Sequence, residues 1–346
     1  MIKVRKSLLW GIALLMMLLA ACGQKDVVQD IGEGDLQEDV GEIKEVMLPF
    51  TGEYTTESNN NRAYAVMVNN HTQARPQTGL SKADIVFEML TEGNVTRFLA
   101  IYQSTQPDVV GPVRSAREYY FTLANGYDAV YVYHGAADFI NDMILSRNID
   151  HIAGSQHDND GYLFVREPFR KAPHNSYFQA TNIYDAMAEK GYETQFTYDP
   201  FSFTDESELE DSDGTYVKIN YSPQQAVVTF EYDESSGKYH RYDNGELTVE
   251  LTSEIPIVID NVFIVEAEHR VIDEDSRRFI DIESGGDAYL LQQGRVEKVE
   301  WVNDHGRIIP VKDGETIPFV PGKTWINFIP DAPSSGETEQ VQFSNE

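Results

Sequence analysis

The sequence predicts a mixed α/β (α+β) N-terminal domain followed by a smaller, strand-rich antiparallel β domain. Three observations carry that expectation. At 346 residues the chain exceeds what one compact domain usually needs. Helix-like stretches with stop signals fall only in the first 200 residues, whereas short alternating strands with turn residues crowd the stretch after residue 215. Between them lies TDESELEDSDG, Thr204 to Gly214, an acidic run with little apolar content that reads as a linker.

The strands of the first domain come first. Tyr64 to Val68 is a short apolar strand, and Ile85 to Thr91 and Val95 to Gln103 are longer ones. Gly93-Asn94 between the latter two is a two-residue hairpin signal. That loop would set Glu92 opposite Val95, Leu90 opposite Arg97 and Glu88 opposite Leu99. Arg97 would then lie diagonally between Glu88 and Glu92 on one sheet face, either as a structural ion-pair cluster or as a carboxylate pair at the rim of a site. A further strand in AVYVYHG ends at His134-Gly135, and helices are expected at about 137–147 and 182–190, the second stopped by Gly191. In the second domain TYVKIN, AVVTFEY, KYHRYDNG, IPIVID, FIVEAE, RRFIDIE and AYLLQQG read as strands, with DESSG, DNG and GG as turns. They suggest an antiparallel sandwich or barrel that finishes in PGKTWINFI.

The N-terminus sets the location. Lys3, Arg5 and Lys6 precede an apolar stretch from Leu8 to Ala21, which has the size of a signal-peptide core rather than a membrane span. It ends in LAACG, which resembles the lipobox of bacterial lipoproteins. The match implies cleavage before Cys22 and lipidation of its thiol, placing the protein on the extracytoplasmic face of the cell membrane. Several acyl chains anchor a protein stably, each buried methylene contributing about 0.8 kcal/mol. Cys22 is the chain's single cysteine, so once lipidated it leaves no thiol for a nucleophile, a zinc cluster or a disulfide. The expected layout is a signal peptide over 1–22, a flexible acidic tether over 23–47, a ligand-binding α/β domain over 48–203, the linker over 204–214, a β-rich domain over 215–330 and a disordered tail over 331–346.

The formal charge of −30 is unevenly spread. Residues 61–180 hold ten Lys/Arg against twelve Asp/Glu, leaving 17 against 45 elsewhere, and five of the eight histidines sit in that near-neutral block. Direct binding of nucleic acid is not expected of so acidic a chain. Within the block, GPVRSAR places Arg114 and Arg117 beside a helix start. Ser115 and Glu118 fit a capping box, with the helix running to Asn125-Gly126. Cations there are disfavoured by about 0.3–1 kcal/mol. The arginines could fold back on Glu88, Glu92 or Glu118, could reach water, or could grip an anion together with the first-turn amides. Other loops supply His71 and Arg75, His134 at a strand end, and Arg170, Lys171, His174 and Asn175 from RKAPHN. Together they are consistent with a polar cleft at strand C-termini.

NNHTQARPQTGLSKADIVFEMLTEG, VTRFLAIYQS, GPVRSAR and RKAPHN, in this order after a lipobox, resemble the YerB-like lipoproteins, the domain-of-unknown-function 3048 family. GGDAYLLQQGRVEKVEW and PGKTWINF are similar to that family's second domain. The resemblance covers about residues 48–330 and implies a lipid-anchored extracytoplasmic protein of the Gram-positive envelope. It assigns no catalytic residue.

Several chemistries lack their residues. There is no HExxH and no paired histidine spacing, hence no expected metal, and no GxSxG, SxxK or P-loop; no cofactor is expected. DNDG and DSDG are too short for calcium loops and read as turns. Glu88 and Glu92 as a glycosidase pair would stand about 13 Å apart along one strand, wide for that mechanism. The leading expectation is binding of an anionic or peptide cell-envelope ligand by the Arg/His cleft. An envelope hydrolase or transferase with His134 or His174 as acid/base, and a non-catalytic scaffold for an envelope protein partner, are the alternatives.

Overall fold

Six-residue apolar runs such as YAVMVN and IVFEML leave no room for a solvent-facing side, and both are buried along their whole length. Such strands belong to a sheet covered on both faces. The computed structural model describes residues 45–57, 59–210, 212–222, 226–331 and 340–343; the signal peptide, Cys22 and the tether up to residue 44 lie outside them. The protein is mostly strand, 43%, with 13% helix, and the described helices fall before residue 190: α1 over Glu118–Gly126, α2 over Asp138–Ser146 and α3 over Ile183–Glu189. None is long and apolar enough to cross a membrane.

Eleven strands form the central sheet, in the order Glu315–Thr316, Arg307–Lys312, Arg295–Asp304, Gly286–Gln292, Asn261–Ala267, Thr324–Pro330, Ile85–Leu90, Thr96–Tyr102, Tyr64–Asn69, Val130–Tyr133 and His151–Ala153. The join matters most. Thr324–Pro330 pairs in parallel with Asn261–Ala267 on one side and in parallel with Ile85–Leu90 on the other. One sheet therefore runs through both halves of the chain, and the described residues belong to one compact unit. The strand-rich second half is antiparallel except at this seam.

Helices α1 and α2 cover one face, packing Tyr120, Leu123, Ile140 and Ile144 with Met67, Phe87, Met89 and Leu99. The other face is covered by a second, antiparallel sheet that includes Tyr216–Ser222, Ala226–Asp233 and Lys238–Asp243, whose Val217, Phe230 and Tyr239 belong to a core with Val66, Val86, Phe98 and Trp325. Asn244 and Gly245, in the expected DNG turn, both take positive φ, as a tight hairpin requires. Where a frayed tail was expected, Val341–Gln342 adds to the edge of this sheet beside Lys218 and Ile219.

Two local expectations are corrected. The hairpin after Ile85–Leu90 closes at Thr91–Val95 around a three-residue loop, Glu92 to Asn94, and not around two. Leu90 consequently faces Thr96, Met89 faces Arg97 and Glu88 faces Phe98. A one-residue slip sends a side chain to the opposite face, so Glu88 turns toward the second sheet and Arg97 toward the helices. The capping box fails as well. Arg114 N–H donates to Met67 O and Ala116 N–H to Gly135 O, which holds the segment extended; α1 starts only at Glu118, with Arg117 at the cap and no side-chain cap bond.

Candidate functional site

The parallel neighbours Tyr64–Asn69 and Val130–Tyr133 deliver two loops to the same end of the sheet, the end at which ligands collect in open α/β sheets. The loop after Asn69 carries His71, the loop after Tyr133 carries His134, and the extended 111–117 segment crosses between them. Val113 N–H donates to Ser176 O, which brings in the 166–176 loop with His174. Three of these segments contain a cis X–Pro bond, at Arg75-Pro76, Gly111-Pro112 and Ala172-Pro173.

His71 and His174 stack face to face, ring centroids 4.6 Å apart. Their tautomers follow from their partners. His71 Nδ1 accepts the Gln73 N–H at 3.1 Å. Asn69 accepts the His71 N–H through Oδ1 at 3.0 Å, so its Nδ2 faces His174 Nδ1, at 2.9 Å, as a donor. Both Nδ1 atoms are acceptors, which leaves each Nε2 bearing the proton. Arg114 adds to this set. Its guanidinium has no carboxylate or carbonyl partner among the described residues, and its Nε is buried without any partner. Burial lowers its pKa first, with Arg117 adding to the effect. Burial also lowers the pKa of His174, helped by His71, Arg114 and Arg170. The result is a cluster of hydrogen-bond donors in which Arg114 has no ion-pair partner among the described residues, Glu92 acting on it only at longer range.

The other candidates are spent elsewhere. Arg117 pairs with Glu92, which Arg97 also holds at 3.1 Å; the expected cluster of Arg97 between Glu88 and Glu92 does not form, because Glu88 lies on the other face. Burial opposes the charge on Glu92, but Arg117 and Arg97 outweigh it and hold its carboxyl below the usual range. Arg75 binds Asp243 at 2.7 Å and the Asn70 carbonyl. Arg170 grips the carbonyls of Ala74 and Pro76, fixing the His71 loop from behind. Lys171 is exposed, Ser115 lends its carbonyl to Arg97, and Asn175 accepts from Arg166. Glu88 is fully buried, bound by Arg241, Thr96 and Trp325, and cannot act with Glu92 as a catalytic pair. The DNDG segment is a turn in which Asp160 accepts backbone N–H groups, whereas in DSDG, of which Asp211 lies outside the described residues, Asp213 bridges to Arg295 and accepts the Thr215 N–H.

One serine–histidine contact exists at the site. His134 Nδ1 lies 2.6 Å from Ser176 Oγ, with Arg166 Nη2 3.3 Å from its Nε2 and Asp158 at 3.8 Å. Arg166 can only donate, so Nε2 accepts and Nδ1–H points at Ser176. That polarity gives the serine a donor rather than a base, and Ser176 is 2% exposed. It does not make a nucleophile. No cluster of three or more His, Cys, Asp or Glu able to hold a metal occurs among the described residues. Sequence reasoning missed Asn69, which fixes His174, and Arg241, the buried partner of Glu88. The first lay in view within NNH; the second sits in an alternating strand that gives no sign of a buried cation.

Comparison with known proteins agrees with this frame. The family described as "Protein of unknown function (DUF3048) N-terminal domain" matches residues 50–193, and its C-terminal counterpart matches residues 217–326. The chain belongs to this family. The DUF3048 N-terminal match contains all the loops that meet at Arg114. The C-terminal match ends inside the Thr324–Pro330 strand that returns to the N-terminal strands. The chain is 44% identical over 317 residues to "Putative lipoprotein YerB" of Bacillus subtilis (strain 168), covering 91% of this chain and 92% of that protein. A crystal structure of YerB protein from Bacillus subtilis is 45% identical and superposes with a TM-score of 0.77, covering 83% of this chain and 97% of that one.

Proposed function

We propose that this protein is a lipoprotein, anchored through Cys22 on the extracytoplasmic face of the membrane, that binds an anionic group of a cell-envelope ligand at Arg114. Phosphodiester polymers, lipid-linked precursors and peptide carboxylates carry such groups. The anchor rests on the LAACG motif and on the relative's description as a lipoprotein. The binding reading rests on one observation above all: Arg114 keeps a full set of unused N–H donors, with Nε buried and unpaired, in an acidic chain that pairs Arg75, Arg97 and Arg117 internally. A buried donor left unpaired costs about 1–3 kcal/mol. An incoming oxyanion would remove that cost, with the Nε2–H groups of His71 and His174 as flanking donors.

Isothermal titration with inorganic phosphate, glycerol 3-phosphate and a peptide ending in a free carboxylate tests this. Arg114→Gln should weaken binding by roughly tenfold to a hundredfold, the loss of a charge-assisted hydrogen bond. Arg117→Gln should weaken it far less, because Glu92 already holds that side chain. Equal affinity of wild type and Arg114→Gln would reject the reading.

A further inference from the structure

We propose a second ligand site, independent of Arg114, in which a cleft between α1, α2 and the hairpin of His269–Val271 and Arg278–Ile280 takes up one single-chain anionic amphiphile. The floor is apolar: Ile140, Ile280 and Ile282 are buried beneath it. At the mouth, Phe139 and Ile272 remain 40% and 49% exposed, and Val271, beside Ile272 on the hairpin, is 55% exposed. Apolar surface so placed around an open cleft marks a ligand or interaction site.

The head-group chemistry comes from the rim. Arg117, Arg147, Arg270, Arg277 and Arg278 line this one cleft, against Glu118, Asp281 and Glu283. The whole chain has 27 basic residues to 57 acidic ones, so the local ratio is inverted. Four of the arginines have a carboxylate: Arg117 has Glu92, Arg147 has Glu118, Arg270 has Glu268, and Arg277 has Asp273 and Asp275. Arg278 has none. It donates only to neutral oxygens, the Thr91 carbonyl at 3.0 Å and Asn94 Oδ1 at 2.9 Å. Arg277 lies over the Phe139 ring, 5.5 Å from its centroid, so cation and apolar mouth adjoin. An acyl chain fits the floor and a phosphate or carboxylate fits Arg278.

Fluorescence or calorimetric titration with dodecyl phosphate below its micellar concentration tests the site, with dodecyl maltoside as the neutral amphiphile and inorganic phosphate as the head alone. The expected result is saturable binding of one dodecyl phosphate per chain, about tenfold tighter than dodecyl maltoside, as one charge-assisted contact would give, and more than about tenfold tighter than inorganic phosphate, which has no acyl chain to bury. Arg278→Gln should remove most of the preference over dodecyl maltoside. Ile272→Asn, at an exposed position that leaves the fold intact, should weaken both amphiphiles. Arg114→Gln should change nothing here, which separates this site from the one proposed above. Absence of saturable binding, equal binding of the two amphiphiles, or dodecyl phosphate binding untouched by Arg278→Gln and Ile272→Asn would overturn the proposal.

Discussion

Asn69 and Asn70 are neighbours that serve opposite regions, and the difference between the regions separates structure from function. Asn70 joins a closed network: its Nδ2 donates to Thr96 and Asp243, and its Oδ1 accepts from Arg75 and Gln77. In the same network Arg241 binds Glu88, Asp243 and Thr248, its guanidinium lies over Phe98 and Trp325, and Trp325 Nε1 donates to Glu88. Each cation there has its acid. Asn69 instead sets the tautomer of His174, beside Arg114, whose Nε is buried without a partner. Arg241 is fully buried, whereas Arg114 is half-buried with its Nε shut off from solvent. A saturated cluster stabilises the fold, whereas an unsaturated one weakens it unless something else supplies the acceptor.

The largest test breaks the closed network. Glu88→Ala leaves Arg241 charged and buried, and should cost about 3–5 kcal/mol in chemical denaturation. Because Glu88, Thr96, Arg241 and Trp325 come from four strands of two sheets, the loss should lower the midpoint of a single transition. Arg114→Gln is the mirror experiment. It should leave stability within about 1 kcal/mol of wild type or raise it slightly, since a neutral side chain there costs less to bury. Comparable losses for both variants would show the regions to be alike.

A buried carboxyl provides the next largest effect. Asp84 accepts the N–H groups of Gln103 and Ser104 at 2.7 and 2.9 Å and the Ser104 hydroxyl. Burial nevertheless raises its pKa from 3.8 to about 6. The folded state therefore holds a proton that the unfolded chain has released over that window. Its contribution to stability is complete below about pH 4 and is lost as the pH rises through 6. Asp84→Asn can keep all three contacts, with the amide donating to Ser104 Oγ. Its stability relative to wild type should rise by roughly 3 kcal/mol between pH 4 and pH 7. A difference flat across that range would refute the raised pKa.

These residues also show what sequence could and could not disclose. The helices after His134 and before Gly191 were legible from local sequence, the second also from its stop at Gly191. The hairpin register was not, because Gly93-Asn94 signals a turn without fixing its length, and that one residue decides which face Glu88 takes. Nothing local indicates that Thr324–Pro330 docks beside Ile85–Leu90, since that pairing joins residues about 240 apart in the chain. At the site, the charge of Arg114 and Arg117 was visible, but their division was not. Extended backbone from 113 to 117 sends one toward the histidines and the other to Glu92, and the bonds that hold it extended go to Met67 and Gly135.

The smallest effect isolates the role of Asn69. In the wild type burial lowers the His174 pKa below 6.5, with His71, Arg114 and Arg170 adding to the effect; the Asn69 amide donates to Nδ1, so a protonated ring would also meet it donor to donor. Neutral His174 thus contributes stability in full above about pH 6.5, and that contribution fades as the pH falls through the lowered pKa. Asn69→Asp substitutes a carboxylate that can still accept the His71 N–H while pairing with a protonated Nδ1. The His174 pKa should then rise above 6.5, and the sign should reverse: the added stability is complete below 6.5 and disappears as the pH climbs through the new value. NMR titration of the His174 ring reads the shift directly. An unchanged pKa in Asn69→Asp would mean that Asn69 does not set the tautomer, and the Nε2–H donors inferred for the pocket would lose their support.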